Sequence, residues 1–200
     1  MSKLVLDKPI RLIEMFGGIG SQYMSLRDLG ANVISWKYID FDKYAVKSYN
    51  AIHGTNYEPM DITEIHARDL DIRDTDEYDY VACYSFPCQD LSLAGLQGGM
   101  EKGSGTRSSL LWEVERILKE CVEYNGNLPR VLLMENVTQV HSKKNADAWA
   151  SWLAFLESIG YKNYWQDLNA KDYGVAQNRN RCFMVSIPRI YWIQELLARP

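Results

Sequence analysis

The sequence predicts an α/β protein whose mostly parallel sheet is covered by helices on both faces. Three observations predict it. Short apolar runs alternate with segments of helical spacing along nearly the whole chain. The first run, Ile10–Met15, passes directly into the glycine-rich turn Phe16-Gly17-Gly18-Ile19-Gly20 before a helix begins. A later run, Tyr80–Tyr84, passes into Phe86-Pro87-Cys88-Gln89, so chemistry-bearing residues follow strand ends, as open α/β sheets place them.

Each element has its own reason. Ile10–Met15 is a short apolar strand, and Gly20–Leu29 reads as a helix stopped by Gly30. Val33–Ile39 is a second strand. Asp42–His53 is a helix with Asp42 near its start, and Tyr78–Tyr84 is a strand after a polar segment. Leu110–Tyr124 is helical through Leu110, Leu111, Val114, Ile117, Leu118 and Cys121. Val131–Met134 is a buried strand, Asn145–Ile159 a helix with Trp149, Trp152, Leu153 and Leu156 on its apolar side, and Cys182–Ile187 a late strand. Gln97–Ser109 holds four glycines and is expected to belong to a mobile loop covering about residues 89–109.

The 200 residues suit one domain with a real core. A hydrophobic fraction of 46% and a charged fraction of 24% are ordinary for a globular chain. No apolar run approaches the roughly 20 residues of a membrane span. Met1–Asp7 has no signal-peptide pattern. Cys83, Cys88, Cys121 and Cys182 lack metal-type spacing, and only three histidines are available, so no metal and a reduced, cytoplasmic setting are expected. The net charge of −4 counts against a standalone nucleic-acid binder. A local basic groove remains open to Lys102, Arg107, Lys143, Lys144, Arg179 and Arg181.

Four segments carry candidate chemistry, and each has a plain alternative. The glycine turn lets a ligand approach the backbone at a helix N-terminus, or is simply a tight strand-to-helix turn. It is not G-x-G-x-x-G, which lowers the dinucleotide reading. Asp40, about 20 residues after the glycines, is placed to bond ribose hydroxyls, with Phe41 against an adenine ring and Asp61-Ile62 closing the pocket. The alternatives are a helix-capping acid, a core aromatic and a turn. Cys88 follows a proline that fixes its own backbone angle and helps aim the next side chain. A free cysteine is otherwise a small buried hydrophobe, as Cys83, Cys121 and Cys182 are expected to be. Glu135, after Val131–Met134, is either a partly desolvated proton donor or an exposed loop acid. Arg179 and Arg181 share one face of an extended segment, where two planar cations suit a carbonyl oxygen or phosphates; the alternative is a solvated basic turn.

In their order and separations, the glycine segment, Pro87-Cys88-Gln89, Glu135-Asn136-Val137 and Gln177–Arg181 resemble the motifs of the DNA (cytosine-5)-methyltransferase family. The stretch Tyr84–Glu115 is especially similar to bacterial members that modify CG sites. The resemblance covers about residues 10–187 and departs from the family in Glu14, where aspartate is usual, and in the lack of a recognisable target-recognition region.

The resemblance implies a Rossmann-like S-adenosylmethionine-dependent methyltransferase fold acting on double-stranded DNA, with S-adenosylhomocysteine as product. It implies that Phe16, Gly18, Ile19, Gly20, Asp40, Phe41, Asp61, Ile62 and Pro87 bind S-adenosylmethionine. Cys88 would attack C6 of a flipped-out cytosine, Glu135 would bond N3 and the exocyclic amine, and Arg181, with Arg179 nearby, would hold O2. Gln89, Ser92 and Arg107 would contact DNA. A target-recognition region on a second chain is one expectation. The competing readings are a non-catalytic remnant and an RNA cytosine-5 methyltransferase, with a nicotinamide-dependent oxidoreductase a distant fourth.

Overall fold

A computed structural model describes residues 2–88, 91, 99–103 and 105–192. In chain order the strands are β1 (Ser2–Lys3), β2 (Ile10–Met15), β3 (Val33–Ile39), β4 (Asp79–Tyr84), β5 (Val131–Asn136), β6 (Tyr161–Asn169), β7 (Asn180–Pro188) and β8 (Tyr191–Trp192). The helices are α1 (Ser21–Asp28), α2 (Lys43–His53), α3 (Ala67–Leu70), α4 (Leu111–Tyr124) and α5 (Ala146–Ser158). The α/β class expected from the alternation is therefore present. The chain divides into two compact units, the first formed by Leu6–Ser85 and Glu113–Arg130, the second by Met1–Val5, Phe86–Trp112 and Val131–Pro200. Among the described residues no helix is long and apolar enough to cross a membrane.

The first unit is built on three parallel strands with β2 between β3 and β4. Every residue of β2 and β4 is buried, the pattern of strands covered on both faces. The charged residues in these strands are partnered. Arg11 donates to the Tyr80 hydroxyl at 2.7 Å, and its guanidinium lies 3.6 Å from the centre of the Tyr78 ring and 4.0 Å from that of Trp36. Asp79 accepts from Arg130 at 2.6 Å. Such pairing removes most of the cost of burying charge. Because the strands are parallel, Met15, Ile39 and Tyr84 end at the same edge, and the glycine turn, Asp40 and Ser85 follow there.

Asp42 caps α2 by accepting the backbone N–H groups of Tyr44 at 2.7 Å and Ala45 at 3.4 Å, and Gly54, at φ 67°, ends it. Val46 and Tyr49 of α2 pack on Tyr38 of β3. Thus α2 is fixed against the strand that leads to Asp40.

The second unit is built on antiparallel strands, with β7 between β5 and β6. β6 is an element the sequence pattern did not announce. Tyr161–Asn169 pairs on one side only among the described strands, and its mixture of Lys162, Asn163, Gln166 and Asp167 with aromatics masks the strand period. β5 runs two residues beyond the expected Met134 to Asn136. Glu135 therefore sits in a strand, opposite Phe183, instead of in an exposed loop.

Candidate active site

In the first unit the glycine turn is shaped by the residues beneath it. Phe16 and Gly17 donate their N–H groups to the Ile39 carbonyl at 2.8 and 3.2 Å. Phe16, Gly18 and Gly20 all have positive φ (59°, 56° and 81°). A Cβ on Gly17 would lie 2.6 Å from the Tyr38 ring, and one on Gly20 would lie 2.5 Å from His53 Nε2 and 2.6 Å from Tyr49. At Gly17 and Gly20 only glycine avoids those contacts.

Polar partners then hold the turn. The Gly18 N–H donates to Asp40 Oδ2 at 2.9 Å, while Asp40 Oδ1 accepts the Asp42 N–H at 2.9 Å. The Tyr38 hydroxyl donates to the Gly18 carbonyl at 2.8 Å, and His53 Nε2 lies 2.9 Å from the Ile19 carbonyl. Glu14, fully buried, accepts the Tyr49 hydroxyl at 2.6 Å and the Tyr23 N–H at 3.3 Å. Tyr23 is in the first turn of α1, whose N-cap Gly20 offers no side chain, so the Glu14 carboxyl serves that helix end from below. Burial pushes the Glu14 carboxyl up to about 7.

The remaining cofactor candidates of this unit are placed as follows. The Met60 N–H donates to the Asp40 carbonyl at 2.9 Å, drawing the Asp61 segment to the end of β3. Asp61 accepts the Thr63 N–H and hydroxyl, each at 2.9 Å. Ile62 is buried, whereas Phe41 is 61% exposed and Ile19 47% exposed. Two carboxylates with spare acceptor lone pairs, two exposed apolar side chains and a turn with three glycines fit an adenosine-bearing ligand.

In the second unit, two buried side chains grip the turn that carries Cys88. Asn136 Nδ2 donates to the Phe86 carbonyl at 3.0 Å, and Ser108 Oγ donates to the Pro87 carbonyl at 2.8 Å. The Leu91 N–H closes on the Cys88 carbonyl at 3.0 Å. Cys88 is partly exposed, whereas Cys83, Cys121 and Cys182 are buried. Burial raises those three thiols, Cys121 and Cys182 each to about 12 and Cys83 further, so none is a thiolate at neutral pH.

Glu135 Oε1 forms an ion pair with Arg181 Nε at 3.0 Å, and Arg179 lies 3.9 Å from the same oxygen. Both arginines thus reach one face of the extended segment. Their approach is set by Asn169, which accepts the Arg179 N–H at 3.1 Å and donates to Asn178 at 2.7 Å. Arg107 is exposed at the start of a 3₁₀ turn, Arg107–Leu110. Gln89 and Ser92, and with them much of the expected loop, lie outside the described residues.

Sequence reasoning missed several of these residues. Asn136 was visible beside Glu135, and a polar residue ending an apolar strand needs a partner; the Phe86 carbonyl is that partner. His53 lies at the end of α2, outside the four candidate segments, and its ring meets the glycine turn. Ser108 gave no sequence signal at all. The only described His/Cys/acid group is His141, Asp167 and Cys182, whose donor atoms lie within 4.8 Å of one another. His141 Nε2 and Asp167 already bond at 2.9 Å, the geometry of a hydrogen-bonded pair.

Comparison with known proteins bears on the family and the fold. Residues 10–194 match the family described as C-5 cytosine-specific DNA methylase. The chain is 46% identical over 153 residues to the orphan methyltransferase M.SssI of Spiroplasma monobiae, covering 76% of this chain and 37% of that protein. It is 31% identical to the type II methyltransferase M.HhaI of Haemophilus parahaemolyticus, covering 88% of this chain and 48% of that protein. Among solved structures it is similar to the Dnmt2 methyltransferase of S. pombe, with a TM-score of 0.70 at 21% identity over 92% of this chain and 51% of that one. These results define the fold class, and the chain belongs to the C-5 cytosine-specific DNA methylase family. It spans about half or less of the length of these relatives.

Proposed function

We propose that this chain carries the catalytic part of an enzyme that transfers a methyl group from S-adenosylmethionine to C5 of a cytosine in duplex DNA. The observation that carries the reading is the Glu135 carboxylate held by Arg181 at 3.0 Å in the unit that also presents the clamped Cys88 turn. A nucleophile, an acid and two guanidinium groups are the parts needed to activate a cytosine ring. Residues 1–200 are read as one catalytic domain working in the cytoplasm.

S-adenosylmethionine, when bound, supplies an electrophilic methyl group on a sulfonium. Phe16, Gly18, Ile19, Gly20, Asp40, Phe41, Asp61, Ile62 and Pro87 are assigned to hold it. Asp40 and Asp61 offer acceptors to hydroxyl or amine groups, and Phe41 offers a ring face.

The protein's own groups act on the base. C5 of cytosine is a weak nucleophile, so the Cys88 thiolate forms a bond to C6, and the electron pair of the C5–C6 double bond moves into the ring. Glu135, hydrogen-bonded to N3 and the exocyclic amine, stabilises that charge, and Arg181 and Arg179 hold O2. C5, now enamine-like, would take the methyl group as its bond to the sulfonium sulfur breaks and S-adenosylhomocysteine leaves as a neutral thioether. Loss of the C5 proton to solvent then returns an electron pair to the C5–C6 bond and expels Cys88 as thiolate. The base must leave the duplex to meet these groups, at a cost of a few kcal/mol. Gln89, Ser92 and Arg107 are assigned to the displaced strand or its phosphates.

The test is transfer of a labelled methyl group to unmethylated duplex DNA by the purified chain, with Cys88→Ala as control. A second arm adds a candidate chain bearing a target-recognition region, and a third offers transfer RNA. Signal on DNA that vanishes in Cys88→Ala supports the reading. Signal on transfer RNA alone reassigns the substrate, and no signal in any arm favours a non-catalytic remnant.

A further inference from the structure

We infer that Ser108 is a positioning residue that ties the Arg107 turn to the nucleophile turn. This inference rests on the function proposed above. Ser108 is fully buried, and its hydroxyl donates to the Pro87 carbonyl at 2.8 Å. The Pro87 carbonyl belongs to the peptide link that leads into Cys88. Ser108 itself follows Arg107 directly in the 3₁₀ turn Arg107–Leu110. Ser109 Oγ donates to the Thr106 carbonyl at 2.6 Å, and Thr106 Oγ1 donates to the Gly99 carbonyl at 3.1 Å. The turn is therefore braced at its start and tied to Gly99, and Ser108 joins it to the Cys88 segment.

The physical consequence is coupling. Asn136 already fixes the Phe86 carbonyl from β5, the strand that carries Glu135. One carbonyl alone leaves the chain free to pivot between Phe86 and Cys88. The second bond, from an independent segment, removes that freedom and sets where the Cys88 side chain points. It also links an exposed arginine, assigned here to the DNA backbone, to the nucleophile through one residue. A shift of Arg107 on meeting a phosphate is passed through Ser108 to the Pro87–Cys88 peptide.

Ser108→Ala removes one oxygen and leaves the surrounding packing in place. Two readouts are taken on the full chain: amide hydrogen exchange across residues 85–91, and the rate of covalent capture on duplex DNA carrying 5-fluorocytosine with S-adenosylmethionine present. Exchange in that segment is expected to quicken by about tenfold while β5 and β7 keep parental protection. Covalent capture at saturating DNA is expected to slow by at least about tenfold with DNA and S-adenosylmethionine affinities unchanged. Ser108→Thr, which keeps a hydroxyl, is expected to stay near the parent in both. Parental exchange in Ser108→Ala, or loss of protection throughout the unit, overturns the inference. If neither parent nor variant captures the DNA, the proposed function fails, and Ser108 is judged on local exchange alone.

Discussion

Arg181 Nε stands 3.0 Å from Glu135 Oε1, with Arg179 3.9 Å from the same oxygen. The two motifs are 46 residues apart in sequence and meet because β5 and β7 are hydrogen-bonded neighbours, Glu135 lying opposite Phe183. The pair is partly exposed, so its worth for stability is small, and its value lies in geometry. Arg181→Ala is expected to lower methyl transfer by about 10²-fold or more while S-adenosylmethionine binding persists. Arg181→Lys is expected to recover little, because an ammonium is a point charge and cannot reproduce the planar fork. Single-turnover rates and a direct binding titration check both. Full activity in Arg181→Lys would show that charge alone suffices.

Glu14 gives a pH-dependent stability with a defined sign. Its carboxyl holds a proton up to about pH 7 in the folded chain, against an ordinary value of 4.5. Between those values the folded state binds more protons than the unfolded state, so this group's contribution is present below pH 4.5 and lost as pH rises through 7. The full swing is about 3 kcal/mol. Glu14→Gln removes the titration. The difference in urea-unfolding free energy between parent and variant should therefore change between pH 5 and 7.5, with the parent losing ground at the higher pH. A difference that stays flat across that range refutes the assignment.

The glycine turn predicts an ordering of three alanine variants. Gly17→Ala drives a Cβ to 2.6 Å from the Tyr38 ring, and Gly20→Ala combines a φ of 81° with contacts of 2.5 Å to His53 and 2.6 Å to Tyr49. Gly30, at φ 79°, has nothing within 4 Å of the same atom. Gly30→Ala should cost only the backbone strain of about 1–2 kcal/mol. Gly17→Ala and Gly20→Ala should cost at least as much in stability and also weaken S-adenosylmethionine binding by more than about tenfold, since the turn itself must move. Calorimetric titration and thermal unfolding distinguish the cases. Equal cofactor affinity across all three removes the turn from the binding site.

Cysteine chemistry offers a prediction independent of DNA. Cys88 is partly exposed, whereas Cys83, Cys121 and Cys182 are buried, with thiols held protonated by burial. One equivalent of iodoacetamide at pH 8 should modify Cys88 first, as read by peptide mass mapping. Earlier modification of Cys182 would mean that β7 opens more readily than its pairing with β5 and β6 allows.

Much of this protein was legible from its residues. Apolar runs and helical spacing located β2, β3, β4, β5, β7 and the four longer helices to within a few residues, because burial on a periodic backbone leaves a periodic trace. Proline before Cys88, the glycines after β2 and the paired arginines before Cys182 marked the candidate chemistry for the same local reason. The tertiary structure decided what local pattern does not encode. It placed β6 beside β7 despite its polar residues, because an outer strand needs only one apolar face. It set Glu135 within a strand and against Arg181, assigned Asn136 and Ser108 to the carbonyls that lead into Cys88, brought His53 to the glycine turn and set the Tyr49 hydroxyl on Glu14. Those are contacts between residues distant in sequence, and a hydrogen bond depends on where two segments meet in space.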